Sequence, residues 1–243
     1  STVYFSYLKV IPDWRKRMKR RQNSSITAKR KVFRIRLIAL LLLVVWNSLL
    51  ANRLRTVRQI TTKKVLDKQI LSELQYFPLA FQNEHRETTW KAEAVICNYE
   101  DSWQSARTFG GARKHEGTDL MTIRNERGIY PIVSMTDGTL EQMGWLKLGG
   151  WRIGIRSASG TYYYYAHLES YAPDLEDGMA VHAGQLLGFA GDSGYGTEGT
   201  TGQFAVHLHV GIYIHHNTDK EEAINPYPYL KQLEQHRIYA DYP

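Results

Sequence analysis

The sequence predicts a mostly β protein, in which a small antiparallel β domain follows an N-terminal transmembrane helix and a helical stalk. Three observations predict it. All 19 glycines lie between Gly110 and Gly211, among short β-rich runs that need glycine for turns and close backbone approach. Upstream, "LIALLLLVVWNSLLA" runs without a charge between Arg36 and Arg53. Between these two regions, apolar residues recur at roughly helical spacing with no glycine at all.

The elements follow in order. A chain of 243 residues allows one or two domains and a sizeable core. Residues 1–36 form a basic tail with 12 Lys/Arg against one acid, Asp13, while the remaining 207 residues carry 19 basic and 23 acidic side chains. The basic balance therefore belongs to the tail. Nucleic-acid binding loses its main support, because its electrostatic footprint should sit on the folded module. The tail is expected to be cytoplasmic and to bind anionic lipid head groups.

Residues 37–52 are the expected transmembrane helix. Sixteen residues span about 24 Å as a helix, short of a hydrocarbon core of about 30 Å, and the flanking arginines can snorkel to close the gap. A cleaved signal would have an unusually long basic region and lacks an A-x-A site, and a buried core helix fits poorly with charge on both flanks. Nine Lys/Arg lie within twenty residues on the N-terminal side and six on the C-terminal side. This asymmetry favours a cytoplasmic N-terminus and an external C-terminal domain.

Residues 53–93 read as stalk and linker. Leu54, Val57, Ile60, Val65, Leu66, Ile70, Leu71 and Leu74 give the helical spacing, Pro78 is expected to break it, and "QNEHRETTWK" leads onward with His85 as a solvated residue. The β domain is expected over 94–232, with 233–243 as a tail. Its strands are expected in "YPIVSM", "GTLEQMGW", "WRIGIRS", "TYYYYAHL", "QLLGFAG" and "FAVHLHVGIYI". One short helix is expected in "NPYPYLKQLEQ", with Asn225 as cap and Pro226 at the first helical position. The lone cysteine, Cys97, makes no intrachain disulfide and reads as a small core residue.

Strand periodicity points to chemistry. Residues two apart share a face, so His207 and His209 in "VHLHV" point one way while Val206, Leu208 and Val210 pack the other way. The same rule puts Tyr163, Tyr165 and His167 together in "YYYYAHL". Two histidines on one face are explained by a shared proton, substrate or metal, or by an ordinary polar face. His115 and Asp119, inside the glycine-framed loop "FGGARKHEGTDL", favour the metal: imidazole and carboxylate suit Zn²⁺, and three such ligands leave a position for water. Spacing leaves open which of His115, His167, His207 and His209 bind and which transfer protons.

The sequence resembles the M23 peptidases, the lysostaphin and LytM-type zinc endopeptidases of bacterial cell walls. Four motifs match in order over about residues 95–230: "FGGARKHEGTDL", "YYAHL", the glycine-punctuated hairpin "GMAVHAGQLLGFAGDSGYG", and "HLHV". The resemblance implies an antiparallel sheet with Zn²⁺ in a groove, held by His115, Asp119 and His209. It implies His167 and His207 as the catalytic pair that polarises the zinc-activated water, stabilises the oxyanion and passes a proton to the leaving amine. The implied substrate is peptidoglycan, cut in its stem peptides or cross-bridges. Tyr163 and Tyr165 are candidates to line the groove, against ordinary cross-strand packing.

The sequence departs from the family in two places. "SGYGTEGTTGQFAVHLH" lengthens the loop before the last motif, where it would border the groove, and Val210–Gly211 replaces the common Phe-Glu pair after His209. His182, His215 and His216 read as solvated turn residues, Asp192 as a turn residue, and Glu116 as a neighbour of a ligand without a base's role. The expectation is thus a single-pass, membrane-anchored endopeptidase acting outside the cytoplasmic membrane. The alternative is a scaffold of the same fold that works through a membrane-protein partner in division or sporulation.

Overall fold

The computed structural model describes residues 10–82, 96–215 and 220–240, so His85 and His216 lie outside the described residues. The chain divides into two compact units, Ser1–Val65 and Leu66–Pro243.

The first unit is the bulk of helix α1 (Val10–Glu73), which takes in most of the basic segment as well as the apolar run. Leu37 to Leu50 are exposed along it, and the helix is long and apolar enough to cross a membrane. The two polar residues in the run satisfy themselves locally: Asn47 Nδ2 donates to the Leu43 carbonyl and Ser48 Oγ to the Val44 carbonyl, both at 2.9 Å. Such i−4 bonds lower the cost of a polar side chain in an apolar stretch.

The second unit begins with the last turns of α1, residues read as stalk, whose Ile70 and the following Leu74 enter the core. The helix stops at Glu73, before Pro78 is reached, because later amides find partners in the β domain: Gln75 N–H donates to the Met135 carbonyl and Phe77 N–H to that of His236. Then come β1 (Phe81–Gln82), β2 (Cys97–Asn98), β3 (Ala106–Arg107), β4 (Arg113–Lys114), β5 (Thr118–Thr122), β6 (Pro131–Val133), β7 (Gly138–Leu146), β8 (Gly150–Arg156), β9 (Tyr162–Tyr171), β10 (Ala180–Val181), β11 (Leu186–Ala190), β12 (His207–His215), β13 (Glu221–Ile224), α2 (Tyr227–Leu233) and β14 (Tyr239–Ala240).

The main sheet runs β10-β7-β8-β9-β12-β5-β2, with β11 joining β6 to β9 and β13 flanking β12. Its pairings are antiparallel, as the glycine-punctuated short runs predict. Each expected run contains a strand. The expected hairpin at 178–196 is different: a turn closed by His182 and Gln185 reverses the chain, but β10 pairs with β7 while β11 pairs with β6 and β9. The turn chemistry was legible, whereas partner choice is set by the strands that each arm meets.

One face of the sheet packs the core, where Leu120, Ile153, Ile155, Leu208, Val210 and Ile212 belong to the same hydrophobic cluster as Tyr229, Leu230 and Leu233 of α2. Burying each aliphatic side chain contributes about 1.5–3 kcal/mol. In α2, Pro226 is the N-cap residue rather than the first helical one. Asn225 Oδ1 nevertheless accepts the Tyr227 N–H at 3.0 Å. Cys97 is buried in this core, and burial pushes its thiol up to about 12, so it is a packing residue rather than a nucleophile.

Candidate metal centre and catalytic groove

Strand β12 is the axis of the site. Its alternation puts Leu208 and Val210 in the core and His207 and His209 on the other face, as period two requires. In register, His209 lies beside Asp119 of β5 on one side and Ala166 of β9 on the other. Asp119 is therefore a strand residue and not part of the loop: the loop ends at Gly117, and Thr118, Asp119 and Leu120 alternate inward, groove-facing and inward. His115 sits just after β4, its N–H bonded to the Ser105 carbonyl at 2.9 Å.

Strand β9 breaks the alternation rule. His167 has a left-handed backbone, φ +65°, a rare and costly conformation for a side chain other than glycine. The registers with β8 and β11 slip around it, as at a β-bulge. The extra residue turns the His167 ring onto the groove face, the same side as Tyr162, Tyr164 and Ala166. Tyr163 and Tyr165 thus face the opposite way to the one expected. Both are fully buried in the core, where the Tyr163 hydroxyl donates to Glu73 at 2.9 Å and the Tyr165 hydroxyl accepts the Met135 N–H at 2.8 Å. Neither lines the groove.

Three atoms that could hold a metal ion converge. His115 Nε2 is 3.1 Å from Asp119 Oδ1 and 3.2 Å from His209 Nδ1, and those two are 2.9 Å apart. Tetrahedral zinc with N and O bonds of about 2.0–2.2 Å would set its ligands about 3.3–3.6 Å apart, so a few tenths of an ångström of movement would seat the ion. The donor set fits in kind as well, with two imidazoles and one carboxylate. Burial opposes ionisation of Asp119, but hydrogen bonds with His115 and His209, then the charge of His209 and His207, hold its carboxyl well below the usual carboxylate range.

The outer atoms of these ligands are also held. His115 Nδ1 is 3.0 Å from Ser102 Oγ and 3.0 Å from Arg107 Nη2. Arginine can only donate, so Arg107 bonds Nδ1 only where that nitrogen accepts, whereas the Ser102 hydroxyl can accept from an Nδ1–H. The tautomer with its proton on Nδ1, toward Ser102, is the one that leaves Nε2 free to ligate. Arg107 Nη2 also donates to Asp119 Oδ2 at 2.7 Å, which leaves Oδ1 turned toward His115 and His209. Neither Ser102 nor Arg107 was singled out from the sequence, because their role depends on a β3–β4 pairing that no local pattern marks. Partners of this kind tune metal affinity by about 10–100-fold. Arg107→Ala should weaken zinc binding by that factor, measured by competition with a calibrated chelator.

Gly117 has a steric reason to be glycine. A Cβ there would come within 2.3 Å of His209 Cε1 and 2.7 Å of the Val210 carbonyl oxygen. Gly117→Ala must push the imidazole away from its position between Asp119 and Ala166. Because misplacement by about 1 Å can cost roughly 100-fold, zinc affinity and turnover should fall by about that much while the circular dichroism spectrum stays that of the parent.

The remaining two histidines are fixed in a matching way. The Nδ1 of His167 bonds the Ser193 carbonyl at 2.7 Å, and that of His207 bonds the Ala205 carbonyl at 2.7 Å. A carbonyl can only accept, so each Nδ1 carries the proton and each Nε2 is a free base. Burial, then the neighbouring His207 and His209, push His167 well below its ordinary pKa. Burial also lowers His207, against the attraction of Asp119. Both are neutral near pH 7. The Ser193 carbonyl reaches His167 because Gly150, at φ +64°, lets it pass where a Cβ would lie 2.2 Å away.

Around this centre lies a groove of about 410 Å³. Tyr162, Tyr164 and Tyr213 line one side, and burial pushes the Tyr162 and Tyr213 phenols up to about 12, so they remain hydrogen-bond donors. The lengthened loop supplies another wall, as expected: Tyr195 stacks on Phe109 with ring centroids 4.1 Å apart and planes 6° apart, and Phe204 meets His167 and His207 edge-on at 4.6 and 5.0 Å. Tyr195 and Phe204 were not legible as site residues, because one long loop of small and polar residues does not reveal where its aromatics land, and nothing in "FGGARKHEGTDL" marks Phe109 as the stacking partner of Tyr195.

The other candidates stand apart from the metal cluster. His182 is exposed, 3.5 Å from Asp137, and His215 is half exposed beside Glu221. Asp192 is buried 3.0 Å from Arg127. Glu116 is exposed at the groove edge.

Residues 113–226, which include all five site residues, match the description of Peptidase family M23. A chain from Ruminococcus gnavus, a candidate glycyl-glycine endopeptidase LytM, has 47% sequence identity, and the superposition covers 76% of this chain and 73% of that one at a TM-score of 0.62. The L-Ala–D-Glu endopeptidase of Bacillus subtilis is 44% identical over 139 residues, 57% of this chain and 41% of that protein. The glycyl-glycine endopeptidase ALE-1 of Staphylococcus capitis is 31% identical over 156 residues, 59% of this chain and 39% of that protein. This chain spans about two fifths of the length of these curated relatives. With the fold, the five residues and the degree of likeness taken together, the chain belongs to peptidase family M23, a family of metallopeptidases.

Proposed function

We propose that the protein is a membrane-anchored, zinc-dependent endopeptidase that hydrolyses peptide bonds in bacterial peptidoglycan. The observation that carries this reading is the convergence of His115 Nε2, Asp119 Oδ1 and His209 Nδ1 beside two imidazoles whose Nε2 atoms are free bases. The names of the relatives supply the substrate class: one acts on an L-Ala–D-Glu bond and others on glycyl-glycine bonds.

His115, Asp119 and His209 would hold the zinc, which as a Lewis acid polarises the scissile carbonyl and acidifies water. The rest is the work of the chain. His207 Nε2, 3.8 Å from Asp119 Oδ1, takes a proton from the attacking water and returns one to the leaving amine. His167 Nε2 sits across from it, with ring centroids 4.7 Å apart, and as a free base accepts a hydrogen bond from the attacking water and orients it. The imidazolium formed on His207 offsets the charge that develops on the carbonyl oxygen before it gives its proton to the amine. Phe204 packs against both rings and excludes bulk water from them.

The helix α1 supports the anchor, and the excess of Lys/Arg on its N-terminal side supports an external catalytic domain. The basic segment would then rest on anionic lipids of the inner leaflet. Digestion of purified peptidoglycan by the full-length protein in detergent, with fragments identified by mass spectrometry, tests the reaction and names the bond. Protease accessibility of the catalytic domain on intact protoplasts tests the orientation, and a protected domain would overturn it.

A further inference from the structure

The relatives are named for two kinds of bond, and the groove holds a feature that separates them. Arg113 pairs in register with Arg107 across the β3–β4 ribbon, so the two side chains leave the same face of the ribbon. Arg107 is occupied by Asp119. Arg113 also lines the groove but has no carboxylate partner among the described residues. Its Nε donates to the Phe109 carbonyl at 3.4 Å and its Nη2 to the Tyr195 hydroxyl at 3.2 Å. These two bonds, at the stacked Phe109–Tyr195 pair, use part of a fork of five N–H donors and hold its plane in place. The donors that remain match a carboxylate, and a guanidinium that is already oriented gives up little freedom on binding one.

We infer that Arg113 is a carboxylate anchor and that the groove takes an acidic stem peptide rather than a glycine bridge. This rests on the endopeptidase reading. A D-Glu residue has two carboxyl groups and only one can continue the chain, so a free carboxylate lies next to an L-Ala–D-Glu bond. A glycyl-glycine bridge offers only neutral amides and would leave the guanidinium without a charged partner. Of the groove's acidic residues, Glu221 is engaged by Arg156 at 2.6 Å, and Glu116 lies exposed at the groove edge.

The test compares two peptides, acetyl-L-alanyl-γ-D-glutamyl-L-lysine with a free α-carboxylate and the same peptide as the α-carboxamide. A pentaglycine peptide serves as a third substrate. The full-length, zinc-loaded protein should prefer the acid over the amide by about 10–100-fold in kcat/KM, the effect of one charged hydrogen-bonded pair. In Arg113→Gln that ratio should collapse toward one, with Arg113→Lys between. A wild-type ratio near one, faster cleavage of pentaglycine, or a ratio that survives Arg113→Gln would overturn the inference. The same ratio is read by calorimetric binding of both peptides. If nothing is cut, the endopeptidase reading fails, while the dependence of binding on Arg113 still decides the anchor.

Discussion

Asp119→Ala should lose zinc and cleavage together. The carboxylate is the only anionic group in the ligand cluster, and its Oδ1 is within 3.1 Å of both His115 Nε2 and His209 Nδ1. Without it, a divalent cation would meet two neutral imidazoles and the guanidinium of Arg107, whose Nη2 is then left without its 2.7 Å partner. Zinc affinity should fall by at least about 100-fold, beyond the effect of outer hydrogen-bond partners, and turnover by at least about 1000-fold. Asp119→Asn keeps the shape of the side chain and removes its charge, so a loss of similar size there assigns the effect to charge and not to folding. Chelator competition gives the affinity, and activity on labelled peptidoglycan gives the turnover. An Asp119→Ala protein that holds zinc and cuts at the parental rate would remove Asp119 from the ligand set.

His207→Ala should behave in the opposite way toward metal. Its Nδ1 is spent on the Ala205 carbonyl, and its Nε2 is farther from Asp119 Oδ1, at 3.8 Å, than the corresponding atoms of His115 and His209. Zinc should remain bound with affinity within a few-fold of the parent, while kcat falls by about 10²–10⁴, the range for losing a positioned general base. His167→Ala should show the same separation, because its Nδ1 is spent on the Ser193 carbonyl. The two losses should not add in the double variant, since the imidazoles act on one proton-transfer sequence. Loss of zinc from His207→Ala would exchange its role with that of His209.

How much was legible depends on which residues obey local rules. The alternation of β12 held, so the shared face of His207 and His209 was visible in "VHLHV". The charge-free run and the helical spacing after it were visible in the same sense, and all of their residues but Leu74 lie within α1. The alternation of β9 did not hold. A single residue at φ +65° reverses the relation between His167 and the tyrosines before it, so Tyr163 and Tyr165 became core residues while Tyr162 and Tyr164 took the groove. A bulge is an agreement among three strands, and no residue in "YYYYAHL" announces it. Arg107, Arg113, Ser102, Tyr195 and Phe204 were silent for a related reason. They reach the site through long-range packing of short strands and loops, whereas sequence patterns report periodicity within one element.

Zinc-dependent cleavage is tested most directly by digestion of purified peptidoglycan by the full-length protein in detergent, with and without a zinc chelator, and again after zinc is restored. The proposed function requires release of peptide-bond fragments that stops with the chelator and returns with zinc. A protein shown to hold zinc at one equivalent that releases no fragments, or release that continues unchanged with the metal removed, would contradict it.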